Sequence, residues 1–291
     1  MSNKAYNVVF TIFIFLSGIF PDSTHAGPIS SLVNLCTNLF VSGEKGLGKQ
    51  LDLPIKKLDQ EILEENKLSM IGYARSHMNE DWENDGFRLT NKNLRVWLGF
   101  EDEVTLSERS QRERMDSTNF HVTAMASVMT TPIPAIEKIA REANFPQGTH
   151  IVDVGAGFGQ VALWLGWSRP DLKITGIEIN EQRVEVARKL SSNLNLKNVE
   201  FEQADLWKTS LPDADVYYFY DPVPDDLRAR LILNLKEIAN QRSKPIKIIA
   251  VNGWSKNIHT DLGNESWLNE IKAYKGWNSS VEVKIYSSES H

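Results

Sequence analysis

The sequence predicts an α/β fold: a doubly wound, mostly parallel sheet that ends in a C-terminal antiparallel hairpin and follows a helical N-terminal region. Three observations carry this. From about residue 131, short apolar runs alternate with helix-length amphipathic segments, the pattern of a parallel sheet covered on both faces. The first of these runs, HIVDV, opens directly into a loop with glycine at every second position, Gly155, Gly157 and Gly159. Ahead of residue 131 the periodicity is helical and no strand pattern occurs.

In chain order, Lys4 precedes an uncharged run from Val8 to Phe20, and PDSTHAG then offers Thr24 and Ala26 as the small residues of a cleavage site. This reads as a secretory signal peptide over 1–26. The run is short of the roughly 20 apolar residues of a spanning helix, so no stable membrane span is expected. With Asp22 after the run, the body of the protein is expected to be exported, periplasmic or secreted. A downstream translation start would instead leave it cytoplasmic.

Residues 27–130 read as a helical accessory region. In LPIKKLDQEILEENKLSMIGYARSHM, Pro54 suits a first turn, and Ile55, Leu58, Ile62, Leu63, Ile71 and Tyr73 follow at mostly helical intervals. NEDWENDGF is a polar, Gly-containing break, and ERSQRERMD reads as a solvated charged face. GEKGLGKQ imitates a phosphate loop, but Gln50 stands where a magnesium-ligating hydroxyl belongs and Pro54 disfavours a helix there, so it is read as a loop.

Residues 131–291 hold the sheet. Strands are expected at HIVDV, KITGIEI, NVEFEQA, DVYYFY and IKIIAVNG, and helices at GQVALWLGWS, EQRVEVARKLSSNL and DLRARLILNLKEIANQ, with a hairpin through IKAYKGWNSSVEVKIYSSESH and just before. Ligands of such sheets sit beyond the strands' C-terminal ends, where strand order reverses, and the glycine loop lies there.

Composition bounds the chemistry. The 291 residues, 41% hydrophobic and 24% charged, suit one large or two modest domains with a real core. The net charge of −6 brings no overall attraction to phosphate backbones, which argues against nucleic acid as a partner. Cys36 is the only cysteine and the six histidines show no ligand spacing, so no metal site is expected. A dinucleotide fingerprint would need glycine at 160, where this chain has Gln160, and it places the acidic Asp153 at the strand end. A carboxylate there repels a pyrophosphate and favours a cation.

VDVGAGFG, followed by GIEIN and FEQADL, resembles the class I S-adenosylmethionine-dependent methyltransferase superfamily over roughly residues 131–291. The resemblance implies a Rossmann-like methyltransferase domain with S-adenosyl-L-methionine as cofactor. It implies that Gly155, Gly157 and Gly159 let the backbone approach the cofactor beside Asp153. Glu178 would bind the ribose hydroxyls, and Asp205 would lie by the adenine amino group with Leu206 packing on the ring. VDVGAGFGQV with GIE is similar to the non-SET histone lysine methyltransferases, and TTPIPAIEKI would supply the loop over the cofactor's methionine end. RPDLKITGIEI, NLKNVEFEQAD and FYDPVP also resemble the tRNA guanine-N7 methyltransferases, although Asp225 and Asp226 replace the basic residues expected after the Asp-Pro pair.

Catalysis is expected at DVYYFYDPVP. Methyl transfer is an in-line displacement, so the protein mainly aligns donor and acceptor. Asp221 occupies the position where amino-methyltransferases of the superfamily begin an Asn/Asp-Pro-Pro-Tyr motif, which Val223 and Pro224 do not complete. It would orient a target amine at the Pro222 turn, with Tyr220 and Tyr218 packing on a cationic or planar substrate. The alternative makes Tyr217 to Tyr220 core aromatics and Asp221 a turn cap. The expected activity is N-methylation of a protein side chain or small amine; the alternatives are a non-catalytic cofactor-binding module and an RNA guanine methyltransferase.

Overall fold

The computed structural model describes residues 56–100, 130–220, 225–252 and 257–288. The chain separates into two compact units, Met1–Asp52 and Leu53–His291, and every described residue lies in the second. The leader, the phosphate-loop imitation, Cys36, the ERSQRERMD run and residues 221–224 fall outside the described residues.

The helical part begins with α1 (Gln60–Ser76) and α2 (Asp85–Trp97). Pro54, the expected first turn, lies outside the described residues; residues 56–59 are non-helical, and α1 starts after Asp59. The NEDWENDGF break is shorter than its polarity suggests. Asn84 accepts hydrogen bonds from the Gly86 and Phe87 amides, at 2.7 and 3.3 Å, so its side chain starts α2 through Gly86. Next, α3 (Ile133–Ala143) carries Pro134 in its first turn and ends at Asn144 in the left-handed region, φ 48°. The TTPIPAIEKI segment is thus extended only to Pro132 and helical beyond it.

The remaining elements alternate as expected. They are β1 (His150–Val154), α4 (Gln160–Ser168), β2 (Lys173–Glu178), α5 (Glu181–Asn193), β3 (Val199–Gln203), β4 (Val216–Tyr220), α6 (Asp225–Gln241) and β5 (Lys247–Asn252). A short helix that the sequence reading missed, α7 (Asn257–Gly263), precedes β6 (Leu268–Lys275) and β7 (Glu282–Ser288). The sheet runs β3-β2-β1-β4-β5-β7-β6. The first five strands are parallel, and β7 pairs antiparallel with both β5 and β6. Strand order reverses between β1 and β4, which makes the C-terminal ends of those two strands the switch point.

Alternation along the strands sorts the two faces. Val152, Val154, Tyr217, Phe219, Ile248 and Ala250 bury one face under α6 and α7. Asp153, Gly176 and Tyr218 are in register on the other face. All nine residues of α4 are buried, as its lack of a polar side requires.

The helices assigned to the accessory region pack onto this unit rather than standing apart from it. Buried Glu137 of α3 accepts from Arg75 of α1 and from Trp164 Nε1 of α4, both at 2.8 Å. Asn91 of α2 accepts from the Ile133 amide at 2.9 Å, at the start of α3. The boundary near 130 is therefore one of sequence texture more than of packing. Among the described residues no helix is long and apolar enough to cross a membrane.

Candidate functional site

The glycine loop follows β1, and its residues 155, 157 and 159 have φ of 75°, 57° and 80°, a region that glycine enters without steric cost. The Gly155 and Ala156 amides both donate to the Ile177 carbonyl, at 2.9 and 2.8 Å, which folds the loop back over β2. Packing adds a second requirement at Gly159. A Cβ there would lie 2.5 Å from the Phe201 ring, and one at Gly176 would lie 2.6 Å from the same ring. The loop's glycines therefore serve its seating on Phe201 as well as any close approach by a ligand.

Asp153 ends β1 between Gly176 and Tyr218 of the neighbouring strands. It is 3% exposed, and its Oδ2 has no hydrogen-bond partner. Burial pushes its carboxyl up to about 7; the Ala162 amide opposes this and the charge of Glu178 adds to it. A buried carboxylate oxygen without a donor is a site in want of a cation. An ammonium group fits that want, and S-adenosyl-L-methionine carries one.

Glu178 ends β2, also buried. Its Oε2 accepts from the Gly157 amide and its Oε1 from the Asn180 amide, each at 2.9 Å, with Arg183 Nη1 3.9 Å from Oε1. The acid is thus aimed by the glycine loop itself, and each oxygen keeps a lone pair for a hydroxyl donor. Asp205, beyond β3, accepts from the Trp207 amide at 3.0 Å and pairs with Lys208 at 2.9 Å. The Lys208 ammonium holds its carboxyl below the usual range. Leu206 is packed into the core under α6. The large apolar side chains exposed beside the two acids are Ile179 and Trp207, each 45% exposed. Sequence reasoning named Leu206 and neither of these two.

At the end of β4 the aromatic run divides. The Tyr217 hydroxyl donates to the Pro212 carbonyl at 2.8 Å and accepts from the Ala214 amide at 2.9 Å, so this residue is structural. Tyr218 is buried on the opposite face with its hydroxyl hydrogen-bonded to Thr131 Oγ1. Tyr220 is half-buried and meets Trp277 edge to face at 5.4 Å between centroids. Asp221, the expected catalytic residue, lies outside the described residues, as do Pro222, Val223 and Pro224.

Trp277 belongs to the β6–β7 turn, which faces the same end of the sheet. Its carbonyl accepts from the Trp82 amide at 2.6 Å, and the Trp82 ring is 43% exposed. Beside Trp277 lies a shallow groove whose walls include Lys138, Tyr274, Phe87, Ile139 and Glu80. Lys138 sits over the Tyr274 ring at 4.9 Å, and burial lowers its pKa.

A methyltransferase-domain family matches residues 146–243, the stretch that contains β1 to β4 and the acids at their ends. The chain is 43% identical over 58 residues to ribosomal RNA small subunit methyltransferase G of Pseudarthrobacter chlorophenolicus, covering 20% of this chain and 27% of that protein. It is 41% identical over 58 residues to the protein of the same name from an Arthrobacter species, with the same coverage. The chain thus spans about a quarter of the length of the curated relatives it matches. Among solved structures, an RNA methyltransferase from Salinibacter ruber in complex with S-adenosyl-L-homocysteine aligns with a TM-score of 0.43 and 18% identity, over 56% of this chain and 95% of that one.

The relatives overturn one expectation. The acidic balance of the chain argued for a protein or small-molecule amine acceptor and against nucleic acid, yet both curated relatives carry the name of a ribosomal RNA methyltransferase. The physical reason is that net charge averages over the whole surface, whereas a nucleic acid meets a local field.

Proposed function

We propose, on the premise that this chain carries a class I S-adenosylmethionine-dependent methyltransferase domain, that the protein transfers a methyl group from S-adenosyl-L-methionine to an RNA base. The single observation that supports the donor half is the set of acids at three adjacent strand ends, Asp153, Glu178 and Asp205, around a glycine loop held in left-handed geometry.

When bound, the cofactor supplies a methyl group already activated on a sulfonium. Asp153 would hold its ammonium, Glu178 its ribose hydroxyls and Asp205 its adenine amino group, and the exposed Ile179 and Trp207 would offer apolar surface to the purine. The protein's task is then alignment, which preorganised groups perform without rearrangement.

The RNA half rests on the names of the curated relatives and on the chemistry of the acceptor end. Tyr220 meets the buried Trp277 edge to face at the reactive end of β4, the exposed Trp82 is joined to Trp277 through its backbone amide, and unstacked bases are held on exposed aromatic faces such as that of Trp82. Lys138 in the adjoining groove is a cation for the backbone phosphates. Guanine is the base favoured by the resemblance of FYDPVP to the guanine-N7 enzymes, with Asp221 and Tyr220 as the residues that meet it.

Incubation of the protein with labelled cofactor and total cellular RNA, followed by nucleoside digestion, tests this. Label is expected in a methylguanosine. Label in protein, or none while the cofactor binds, would defeat the RNA reading. The leader has its own test, sequencing of the native N-terminus with cell fractionation. A chain beginning at Gly27 outside the cytoplasm supports export, and an intact or downstream start in the cytosol places the enzyme with its donor and with RNA.

A further inference from the structure

Gln160 is the residue that breaks the dinucleotide fingerprint, and the structure shows what it does instead. It is the first residue of α4, directly after the glycine loop, and only 4% exposed. Its Oε1 accepts from Arg95 Nη1, and its Nε2 donates to the Thr131 carbonyl at 2.7 Å. Thr131 is 1% exposed and is hydrogen-bonded through Oγ1 to the Tyr218 hydroxyl. Tyr218 in turn is the register neighbour of Asp153. Arg95, itself 8% exposed, comes from α2, more than sixty residues earlier in the chain.

One buried polar chain therefore runs from an accessory helix, through the start of α4 and the segment before α3, to the two groups at the switch point. Burying a guanidinium and an amide is expensive, and well-packed apolar residues would serve stability as well or better. A fully satisfied network instead fixes geometry. It ends at Tyr218, beside a carboxylate that has an unpartnered oxygen.

We propose that Arg95 is a positioning residue for cofactor binding, acting through Gln160 and Thr131 to hold the glycine loop and the Tyr218–Asp153 pair as one preorganised unit. This rests on the methyltransferase reading above. The accessory helices are then part of the binding apparatus, although no residue of α2 need touch the cofactor.

The test compares the full-length chain with its Arg95→Met and Gln160→Glu variants. Each is titrated calorimetrically with S-adenosyl-L-homocysteine, and each ligand-free melting temperature is measured. Gln160→Glu keeps an acceptor for Arg95 and removes the donor to Thr131, so it decides the matter if Arg95→Met does not fold. Both variants are expected to melt somewhat lower and, titrated well below that temperature where they are fully folded, to bind about tenfold more weakly. A merely structural bond would lower the melting temperature and leave the affinity of the folded protein at the wild-type value, and that result overturns the proposal. If the wild-type chain itself fails to bind, the methyltransferase reading falls and this inference with it. Wild-type binding with unaltered variants removes the inference alone.

Discussion

The donor and acceptor ends of the site differ in how far apart in the chain their parts lie. At the ends of β1 to β3, the acid Glu178 takes its hydrogen bonds from Gly157 and Asn180, and Asp205 takes its own from Trp207 and Lys208. These partners are local or one strand away. At the end of β4, Tyr218 meets Thr131, Tyr220 meets Trp277, and Trp277 meets Trp82. Those partners lie far apart in the chain, at Trp82, Thr131 and Trp277. The groups of the donor end thus belong to a short motif, even though that motif is braced from α2 through Gln160, and the acceptor end is a property of the whole fold. One motif can serve many acceptors because the two are specified separately.

The largest expected effect sharpens the donor side of this contrast. The Asp153 carboxyl is raised from 3.8 to about 7 by burial, so between those values the folded chain binds a proton that the unfolded chain has released. Stability of the ligand-free protein therefore falls as pH rises through this window, by about 4 kcal/mol in full. Asp153→Asn removes that slope and also weakens cofactor binding. Urea unfolding at pH 4.5 and pH 8, with and without the substitution, reads both, and a wild-type slope no steeper than the variant's would reject the buried-carboxylate account.

Next is Gly159→Ala. The new Cβ meets the Phe201 ring, and the backbone at φ 80° is strained for any side chain. A loss of about 3 kcal/mol is expected by denaturant unfolding. Phe201→Leu in the same chain should restore part of it, because the clash is with the ring. A variant with wild-type stability and weakened cofactor binding would assign Gly159 to the ligand alone.

On the acceptor side the effects are smaller, since each substitution removes one stacking or phosphate contact. Trp82→Ala should weaken RNA binding by about 1–2 kcal/mol, the worth of one stacked base, with cofactor affinity unchanged. Lys138→Ala should lower the slope of log affinity against log salt by about 0.7, as one phosphate contact to a single strand requires. Equal loss of cofactor and RNA affinity in either variant would break the division between the two ends.

Legibility in the sequence follows the same division. The strands, the order of helices and the positions of Asp153, Glu178 and Asp205 were readable because alternation, glycine spacing and strand-end acids are local signals. The start of α2 was displaced because it depends on a cap: Asn84 begins a helix inside a stretch whose composition reads as a break. Ile179 and Trp207 were overlooked in favour of Leu206, since nothing local says which of two adjacent apolar residues is buried and which is left exposed. Arg95, Trp82 and Trp277 had no readable role, because their partners lie across the fold, and Thr131 was legible only as part of TTPIPAIEKI, the loop expected over the cofactor's methionine end. The acidic net charge argued against nucleic acid, contrary to the names of the curated relatives, because it is a sum over the whole surface and does not report a local field.

The central claim, that the ends of β1 to β3 hold S-adenosyl-L-methionine, is tested most directly by calorimetric titration of S-adenosyl-L-homocysteine into the wild-type chain and into Glu178→Ala. The expected result is one site on the wild type and an affinity lower by about 1.5–3 kcal/mol in the variant, whose fold is otherwise intact, from the loss of paired hydrogen bonds to the ribose. Equal affinity in the two proteins, or no binding to either, would contradict it.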